Sequence, residues 1–499
     1  MSQIKKGAFL AYINIFLTNI IGLILTPFII KHLGQSEYGL YTLIGAFVSY
    51  ISLLDFGLNN TIVRFVAKYR AQKDKTGEEN FLAVTMIIYG VISVAIVIIG
   101  MVLYYNLENI FSDSLSTNEL VKAKVMFLIF IFNLAISLPG GAFTAICIGY
   151  EHFVYPKTVN IVRYIIRSIS VVGLLLLGGD SIGLVILDTV FNILVIIASL
   201  IYAFKKLKIT FKLHSFELPL IKEIFSYSIW IFLGALIQQF QLQAGQIILG
   251  IKANTDLIAI YAIGIMLGGF LGAFSGAITN LFLPKVTKLV ILEGSNDNLV
   301  FEMTRLGRLL FIMLSFILGG FLVLGKPFIL LWLNENYIDS WYIALLTMFS
   351  LILPLSQGMS GLILQAKNKL KYKTLISLGC NTFGVILGYF LVDPFGIIGM
   401  AIGTATGITV SFIILNFYYK ISLKLNLQYF FENILLKVLP ISAIIITSMM
   451  ILAKYVTILS WIEFLMYGII YSLIFCAAIY KFVLNNYEKS LIPYITKNK

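Results

Sequence analysis

The chain of 499 residues is 60% hydrophobic and only 12% charged, whereas soluble proteins are about 45–50% apolar and about 25% charged. So few charges leave too little polar surface for a water-soluble particle of 55.8 kDa. The composition therefore excludes a soluble multidomain enzyme, a disordered chain and a disulfide scaffold, and it indicates a polytopic membrane protein. The net charge of +13 has to be interpreted from the positions of the basic residues.

Apolar runs long enough to cross a bilayer occur fourteen times along the chain. A helix needs about 20 apolar residues to cross about 30 Å of hydrocarbon. The runs are continuous rather than alternating, so they predict helices and not the strands of a barrel. The expected fold is an all-α polytopic membrane protein with about 14 transmembrane helices. The runs cover residues 8–30, 39–63, 81–105, 125–149, 158–178, 182–203, 224–250, 257–283, 307–332, 341–366, 374–392, 396–418, 438–456 and 460–480.

Lysine and arginine collect in the connections on one side of these runs. Cytoplasmic loops of membrane proteins carry an excess of these two residues. The asymmetry predicts that both termini lie in the cytoplasm, with anionic membrane lipids as natural partners and no nucleic acid. The basic connections are the N-terminal residues, 68–75, 205–222, 285–308, 367–373, 420–437 and 481–499.

Residues with reactive or metal-binding side chains form no recognisable motif. Cys147, Cys380 and Cys476 lie in separate apolar runs, and the three histidines are scattered. Neither a disulfide nor a metal site is indicated. The chain lacks a GxxxxGK[ST] phosphate loop, so ATP-driven transport by this polypeptide is not expected. We expect no cofactor, which leaves a proton or sodium gradient as the candidate driving force.

The chain contains a weak internal repeat. Residues 40–43 align with residues 260–263, and at nearly the same spacing Lys157 aligns with Lys373. This predicts two six-helix lobes related by a parallel repeat, followed by two further helices, around a central site. The predicted divisions are an N-lobe (1–206), a cytoplasmic linker (207–223), a C-lobe (224–420) and a C-terminal part with two helices and a cytoplasmic tail (421–499).

Residues 26–70 carry a more specific pattern. It consists of Leu33-Gly34, Tyr38-Gly39-Leu40-Tyr41, Asp55-Phe56-Gly57 and Arg64, with further matches at Ile248-Leu249-Gly250 and Gly325-Lys326-Pro327. In these residues the chain resembles the Wzx-like polysaccharide (O-antigen) flippases of the multidrug/oligosaccharidyl-lipid/polysaccharide exporter superfamily. The resemblance implies a V-shaped, two-lobed helical fold with a central cavity, in the bacterial cytoplasmic membrane.

The same resemblance implies an activity without enzymatic chemistry. A lipid-linked oligosaccharide, usually on undecaprenyl pyrophosphate, would move by alternating access from the cytoplasmic to the outer leaflet for synthesis of a surface polysaccharide such as O-antigen or capsule. Glycosyltransferases and a polymerase would be partners. One alternative is a drug or cation exporter, or a peptidoglycan-precursor flippase, of the same superfamily. A membrane glycosyltransferase or polymerase is less favoured, because the connections between runs are short.

Two arginines within one run are candidates for the substrate cavity. Arg163 and Arg167 lie one helical turn apart, with Asn160 on the same face. A charged group at the centre of a membrane helix costs at least about 2.5–3.5 kcal/mol. Guanidinium groups bind phosphate bidentately, so the pair suits a lipid pyrophosphate or an acidic sugar. The alternative is that Arg163 reaches the headgroups while Arg167 pairs with Asp188.

Further polar positions extend the candidate set. Asp188 and Asn192, one turn apart, are candidates for coupling to an ion gradient, and a plain ion pair of Asp188 is the alternative. A second group, on run 39–63 and directly after it, could form a polar wall at the cytoplasmic mouth or bond to neighbouring helices. This group consists of Asp55, Asn59, Asn60 and Arg64.

Glutamines cluster in run 224–250. Gln239, Gln243 and Gln246 fall on one stripe of a continuous helix. A glutamine that faces lipid leaves its amide without partners, so the stripe must face protein or water. Because an amide both donates and accepts hydrogen bonds, we expect the stripe to bind sugar hydroxyls, with bonding between helices as the alternative.

Overall fold

All regular secondary structure in the described part of the chain is helical, as predicted. The computed structural model describes residues 3–112, 114–216, 218–279, 282–292, 296–367, 369–453, 455, 458–486 and 488–489. Eighteen α-helices lie in these ranges. They are α1 (Gln3–Leu33), α2 (Gln35–Ile51), α3 (Leu58–Gln72), α4 (Lys75–Phe111), α5 (Thr117–Gly149), α6 (Val154–Leu176), α7 (Ser181–Lys205), α8 (Leu218–Leu242), α9 (Ala244–Lys252), α10 (Thr255–Thr279), α11 (Leu283–Leu292), α12 (Asn296–Trp332), α13 (Asp339–Ser356), α14 (Met359–Ala366), α15 (Leu370–Ser422), α16 (Leu427–Phe431), α17 (Leu439–Ala453) and α18 (Trp461–Phe482).

Within the described ranges, twelve helical segments are long and apolar enough to cross a membrane. The predicted number of fourteen is not confirmed. One of the twelve segments, α15, covers two predicted runs, and the predicted run 224–250 corresponds to α8 and α9, which are not among the twelve. The positions of the apolar segments could therefore be predicted from the sequence. The residues at which one helix ends and the next begins could not, because they depend on the backbone conformation.

The 53 residues of α15 form a hairpin of two helices. The backbone turns at Gly396, where φ is 57° and ψ is −143°, a conformation that glycine adopts with little strain. Glycines line the seam between the two arms: a Cβ built on Gly384 would lie 2.7 Å from the Cα of Gly407. Since no side chain fits there, the small residues allow the two backbones to touch.

The predicted run 39–63 is not one helix, which corrects the sequence-based assignment. The helix α2 ends at Ile51, and a 3₁₀ turn follows at Ser52–Asp55. Phe56 and Gly57 then adopt left-handed conformations, with φ of 50° and 71°, before α3 begins. Irregular backbone at membrane depth is tolerated where it is buried in protein or lines a cavity. The average hydropathy of the run gave no sign of this break, although Asp55, Gly57 and Asn59 lie at it.

The chain divides into two compact units, Met1–Ala262 and Ile263–Lys499. The first unit includes α9 and the start of α10 because this segment packs on α2. The side-chain amide of Gln35 donates to the backbone carbonyl of Asp256 (3.1 Å), and the hydroxyls of Ser36 and Thr255 lie 2.8 Å apart. The contact division thus falls after the predicted linker at 207–223, and the lobe boundaries drawn from the repeat stay a prediction.

Each unit is organised around a long helix. In the first unit α5 lies against α2, α3, α4 and α7, and its buried face includes Phe127 and Ile131. In the second unit α12 lies against α13, α17 and α18, with Phe311 and Leu314 fully buried on it. The polar groups of α5 are therefore placed among several helices, where they can meet polar groups from α3, α6 and α7.

Candidate functional site

A polar cavity of about 290 Å³ lies in the first unit, between α3, α5, α6 and α7. Small-molecule sites usually start at about 300 Å³, so the cavity fits a small ligand or part of a larger one. Among the described residues, no three His, Cys, Asp or Glu side chains come together as a metal-binding group. The polar lining consists of Asn59, Asn60, Ser137, Thr144, Asn160, Arg163 and Asn192.

Arg163 supplies the charge of this cavity. It is the one basic residue in the lining, which contains no carboxylate. Its side chain is half-buried and forms no ion pair with any residue that the structure describes. A partly desolvated cation is unfavourable by itself. The carboxylate of Asp188 attracts Arg163 electrostatically, but it is bound by Arg167, so an anionic ligand in the cavity would add a counterion for Arg163.

An asparagine and serine network shapes the wall opposite α3. The Nδ2 of Asn192 on α7 donates to Oδ1 of Asn133 on α5 at 2.5 Å, and it also bonds to the hydroxyl of Ser137. Ser137 in turn donates to Oδ1 of Asn133 at 2.9 Å. These bonds hold Asn192 and Ser137 in fixed orientations against the cavity.

Asn59 lines the cavity and has one unsatisfied acceptor. Its Nδ2 donates to Oδ1 of Asp55 at 3.3 Å, while its Oδ1 is buried and has no hydrogen-bond partner among the described residues. Buried polar atoms without a partner are uncommon in proteins. Because this oxygen is buried, the Asn59 side chain has to reorient before it can accept a bond from a ligand in the cavity.

Asp55 lies behind Asn59 and does not line the cavity. Tyr89 of α4 donates its hydroxyl to Oδ1 of Asp55 at 2.9 Å. The carboxylate stands at the end of the 3₁₀ turn, directly before the left-handed residues Phe56 and Gly57. Asp55 therefore orients Asn59 and joins the broken helix to α4.

Arg167 forms an ion pair with Asp188 and is absent from the cavity lining. Its Nη2 donates to Oδ2 of Asp188 at 3.0 Å, and its Nε bonds to Oδ1. The hydroxyl of Tyr41 also donates to Oδ2 of Asp188, at 3.2 Å. The three side chains join α6, α7 and α2, so the structure shows the alternative in which Arg167 pairs with Asp188.

The remaining predicted residues do not reach this cavity. Arg64 lies exposed on α3. The glutamine stripe is interrupted, which corrects the prediction of a continuous helix: α8 ends at Leu242 and Gln243 caps α9. Gln239 accepts a bond from the hydroxyl of Tyr50 through its backbone carbonyl (3.1 Å). Gln246 is buried, and its Oε1 has no partner among the described residues.

Three residues of α5 were not anticipated from the sequence. Asn133, Ser137 and Thr144 lie four and seven residues apart, which places them on one face of a helix. Ser137 and Thr144 line the cavity, and Asn133 orients the lining. Their common face within an otherwise apolar run was the signal that could have identified them.

The fold and the cavity are typical of a transporter rather than of a soluble enzyme. They combine helices broken at membrane depth, a glycine-lined hairpin and a cationic cavity lined by amides. Residues 4–286 match the family described as "Polysaccharide biosynthesis protein". The match covers more than half of the chain, and the protein belongs to this family. It is a multi-pass membrane protein.

Relatives and solved structures agree with this assignment. The "Uncharacterized membrane protein EpsK" of Bacillus subtilis (strain 168) is 23% identical over 479 residues, which cover 92% of this chain and 91% of the relative. The lipid II flippase MurJ, in an inward closed conformation, superposes with a TM-score of 0.67 at 17% identity, covering 94% of this chain and 98% of MurJ. An inward-facing multidrug transporter of the MATE family gives 0.62 at 15% identity, over 81% and 98% of the two chains. The structural likenesses show that the chain shares the fold of these two transporters.

Proposed function

We propose that the protein is a flippase that carries a lipid-linked oligosaccharide from the cytoplasmic to the outer leaflet of a bacterial cytoplasmic membrane. The observation that carries this proposal is Arg163, a cation without an ion pair among the described residues, in a cavity lined by amides and hydroxyls. Membership of the polysaccharide biosynthesis family supports the substrate class.

The chemistry of the lining suits the junction between phosphate and sugar. The guanidinium of Arg163 can donate two parallel bonds to phosphate oxygens. The amides of Asn59, Asn160 and Asn192 both donate and accept, as recognition of sugar hydroxyls requires. A volume of about 290 Å³ holds the phosphate-proximal part of a headgroup, while the lipid tail stays in the bilayer.

Transport would proceed by alternating access with both termini in the cytoplasm. The excess of lysine and arginine in one set of connections supports this orientation. The protein itself would make or break no covalent bond. Glycosyltransferases would supply the lipid-linked sugar on the cytoplasmic side, and a polymerase would consume it on the other.

Depletion of the protein tests this function directly. We expect a lipid-linked oligosaccharide to accumulate on the cytoplasmic leaflet, because synthesis continues while export stops. The measurement is the amount of lipid-linked sugar in extracted membranes, with leaflet exposure assayed by lectin or enzymatic access. Accumulation of unglycosylated carrier would instead indicate a glycosyltransferase and would overturn the proposal.

A cation exporter is the weaker candidate because the lining contains an arginine and no carboxylate. A peptidoglycan-precursor flippase shares the phosphate chemistry of the proposed substrate. The depletion experiment separates the two flippases by the sugar found on the accumulated lipid.

We further propose that a proton or sodium gradient drives transport and that Asp188 couples to it. In this structure Arg167 and Tyr41 occupy both oxygens of the Asp188 carboxylate. An ion that binds Asp188 would compete with these bonds for the carboxylate oxygens. Ion binding at Asp188 would in this way weaken the link between α6 and α7.

The Asp188→Asn variant should transport with a reduced response to an imposed gradient, since the ion-binding charge is gone. The measurement is flipping in proteoliposomes with and without a proton or a sodium gradient. Tyr41→Phe serves as the matched control, because it removes one hydrogen bond to Asp188 and keeps the carboxylate. A wild-type gradient response in Asp188→Asn would exclude coupling at this residue. The ion pair of Arg167 with Asp188 would then serve only to hold α6 and α7 together.

A further inference from the structure

The starts of α2 and α10 meet in a polar contact with the first turn of α5. The hydroxyls of Ser36 and Thr255 lie 2.8 Å apart, and both donate to Oε1 of Glu119, at 2.6 and 2.7 Å. The other carboxylate oxygen accepts bonds from the backbone amide and the hydroxyl of Ser116, at 2.8 and 2.7 Å. One oriented carboxylate therefore holds three helices together. We call the contact of Ser36, Glu119 and Thr255 the α2–α10 latch.

The backbones of α2 and α10 touch beside the latch. A Cβ built on Gly39 would lie 1.8 Å from the carbonyl oxygen of Thr255, and Thr255 is only 3% exposed. No side chain fits at position 39 while the start of α10 stays where it is. Gly39 belongs to the pattern in residues 26–70 that the sequence analysis singled out, and this close approach explains why a glycine stands there.

The contact has the pattern of a twofold interface between equivalent residues. The repeat predicted from the sequence aligns Gln35 with Thr255 and Ser36 with Asp256, in the same register as the residues that follow them. The observed bonds run crosswise, because Gln35 donates to the carbonyl of Asp256 and Ser36 meets Thr255. Crosswise pairing of equivalent residues is the signature of a twofold axis. The two helix starts therefore meet at the local axis of the predicted repeat.

The latch lies at the end of the helices away from the basic connections. From it, α2 and α3 lead to the basic segment at residues 68–75, which the excess of lysine and arginine predicts to be cytoplasmic. Parallel repeats are related by an axis along the membrane normal, and substrate sites lie at the repeat interface. A contact on this axis, at the end predicted to face outside, would stand in the exit path of a substrate.

We propose that the α2–α10 latch closes the outer end of the transport pathway and has to open for each release of substrate. This inference rests on alternating access in the proposed function. Glu119 can exchange the two hydroxyls for water when α10 moves away from α2, so opening costs little net hydrogen-bond energy. The latch is therefore suited to open and close repeatedly.

Exposure of position 255 tests the latch without any substrate. Thr255→Cys is made in a chain whose three native cysteines are replaced by serine, and its reaction with a membrane-impermeant maleimide is timed from the outside. Adding Glu119→Ala should speed the reaction about tenfold, the equivalent of one hydrogen bond to a charged group. Glu108→Ala breaks an ion pair with Lys124 between α4 and α5 and should leave the reaction rate unchanged. Equal rates with and without Glu119→Ala would overturn the proposal.

A disulfide across the latch tests whether opening is required for transport. Ser36→Cys combined with Thr255→Cys replaces two hydroxyls 2.8 Å apart, which is close enough for a disulfide. Oxidation should reduce flipping to background, and reduction should restore it. Ser377→Cys combined with Ser411→Cys is the matched control, because these hydroxyls lie 3.2 Å apart between the two arms of α15. The control pair should transport equally in both redox states.

Flipping at an undiminished rate by the oxidised latch pair, with the disulfide verified by mass spectrometry, would overturn the proposal. An equal loss in the oxidised control pair would do the same, because the loss would not be specific to the latch. Absence of lipid-linked oligosaccharide flipping by the wild type, together with faster maleimide reaction in Glu119→Ala, would refute the proposed function and leave the latch supported.

Discussion

Flipping by the Arg163→Gln variant should be about 10- to 100-fold slower than that of the wild type. A hydrogen bond to a charged group contributes about 1.5–3 kcal/mol, and each 1.4 kcal/mol is about tenfold. Because Arg163 has no ion pair among the described residues, its loss should leave insertion and thermal stability near those of the wild type. The measurement is the flipping rate of lipid-linked oligosaccharide in proteoliposomes.

Two variants define what Arg163 contributes. Arg163→Lys keeps the charge and loses the planar fork, so its flipping rate should lie between those of Arg163→Gln and the wild type. Arg64→Gln removes an exposed arginine of α3 that does not line the cavity, and it should transport normally. A wild-type flipping rate in Arg163→Gln would contradict a role of Arg163 in substrate binding, on which the proposed function depends.

The Arg308→Ala variant should lower the free energy of unfolding by about 3–5 kcal/mol. Arg308 is 5% exposed and donates to the carboxylate of Glu488, which is 2% exposed, at 2.7 and 3.0 Å. Removal of one partner from a buried ion pair leaves the other charge, here Glu488, without compensation. The measurement is thermal unfolding of the purified protein in detergent. Arg308→Met combined with Glu488→Leu should recover most of the loss, because it removes both charges. Lys285→Gln, at a more exposed ion pair with Glu302, should cost no more than about 1 kcal/mol.

The same pair predicts a dependence of stability on pH. Burial alone would raise the pKa of Glu488, but hydrogen bonds from Arg308 and from the backbone of Asn485 outweigh it and hold the pKa below its ordinary value. The stabilisation is therefore complete above the unfolded-state pKa of about 4.3, and it is lost as the pH falls through the lower folded-state pKa. Melting temperatures between pH 6 and pH 3 should fall less in Glu488→Gln than in the wild type. Parallel curves for the two proteins would exclude this contribution.

Hydropathy located the helices because burial in lipid requires long apolar runs, but it did not locate their breaks. The break at Phe56 and Gly57 consists of left-handed backbone conformations. Hydropathy does not report backbone conformation, so run 39–63 was predicted as one continuous helix. The interruption at Gln243 was also not visible in the hydropathy. It is milder, because Gln243 keeps a right-handed helical conformation and its amide still donates to the carbonyl of Gln239 at 2.8 Å.

The cavity was predictable in part because an unpaired polar group inside an apolar run needs a reason. Asn59, Asn60, Asn160 and Arg163 were selected on this ground, and the structure brings them together around one cavity. Asn192, which was predicted to couple transport to an ion gradient, lines the same cavity. The same reasoning could not separate Arg163 from Arg167, since they lie on one face of one helix. Only the position of Asp188 on α7 shows which of the two is paired.

The ion pair of Arg308 with Glu488 was not visible in the sequence. Arg308 appeared as one more basic residue of a cytoplasmic connection, where charge signals topology and little else. Its burial depends on the return of the chain after α18, far along the sequence. Patterns within one helix carry no information about such a partner.

The glycine seam of α15 has a mechanical consequence. Where Gly384 meets Gly407 the two arms touch through backbone atoms, and a Cβ on either glycine would overlap the other arm. The separation of the two arms is therefore set by the backbone itself and not by side chains that could change rotamer.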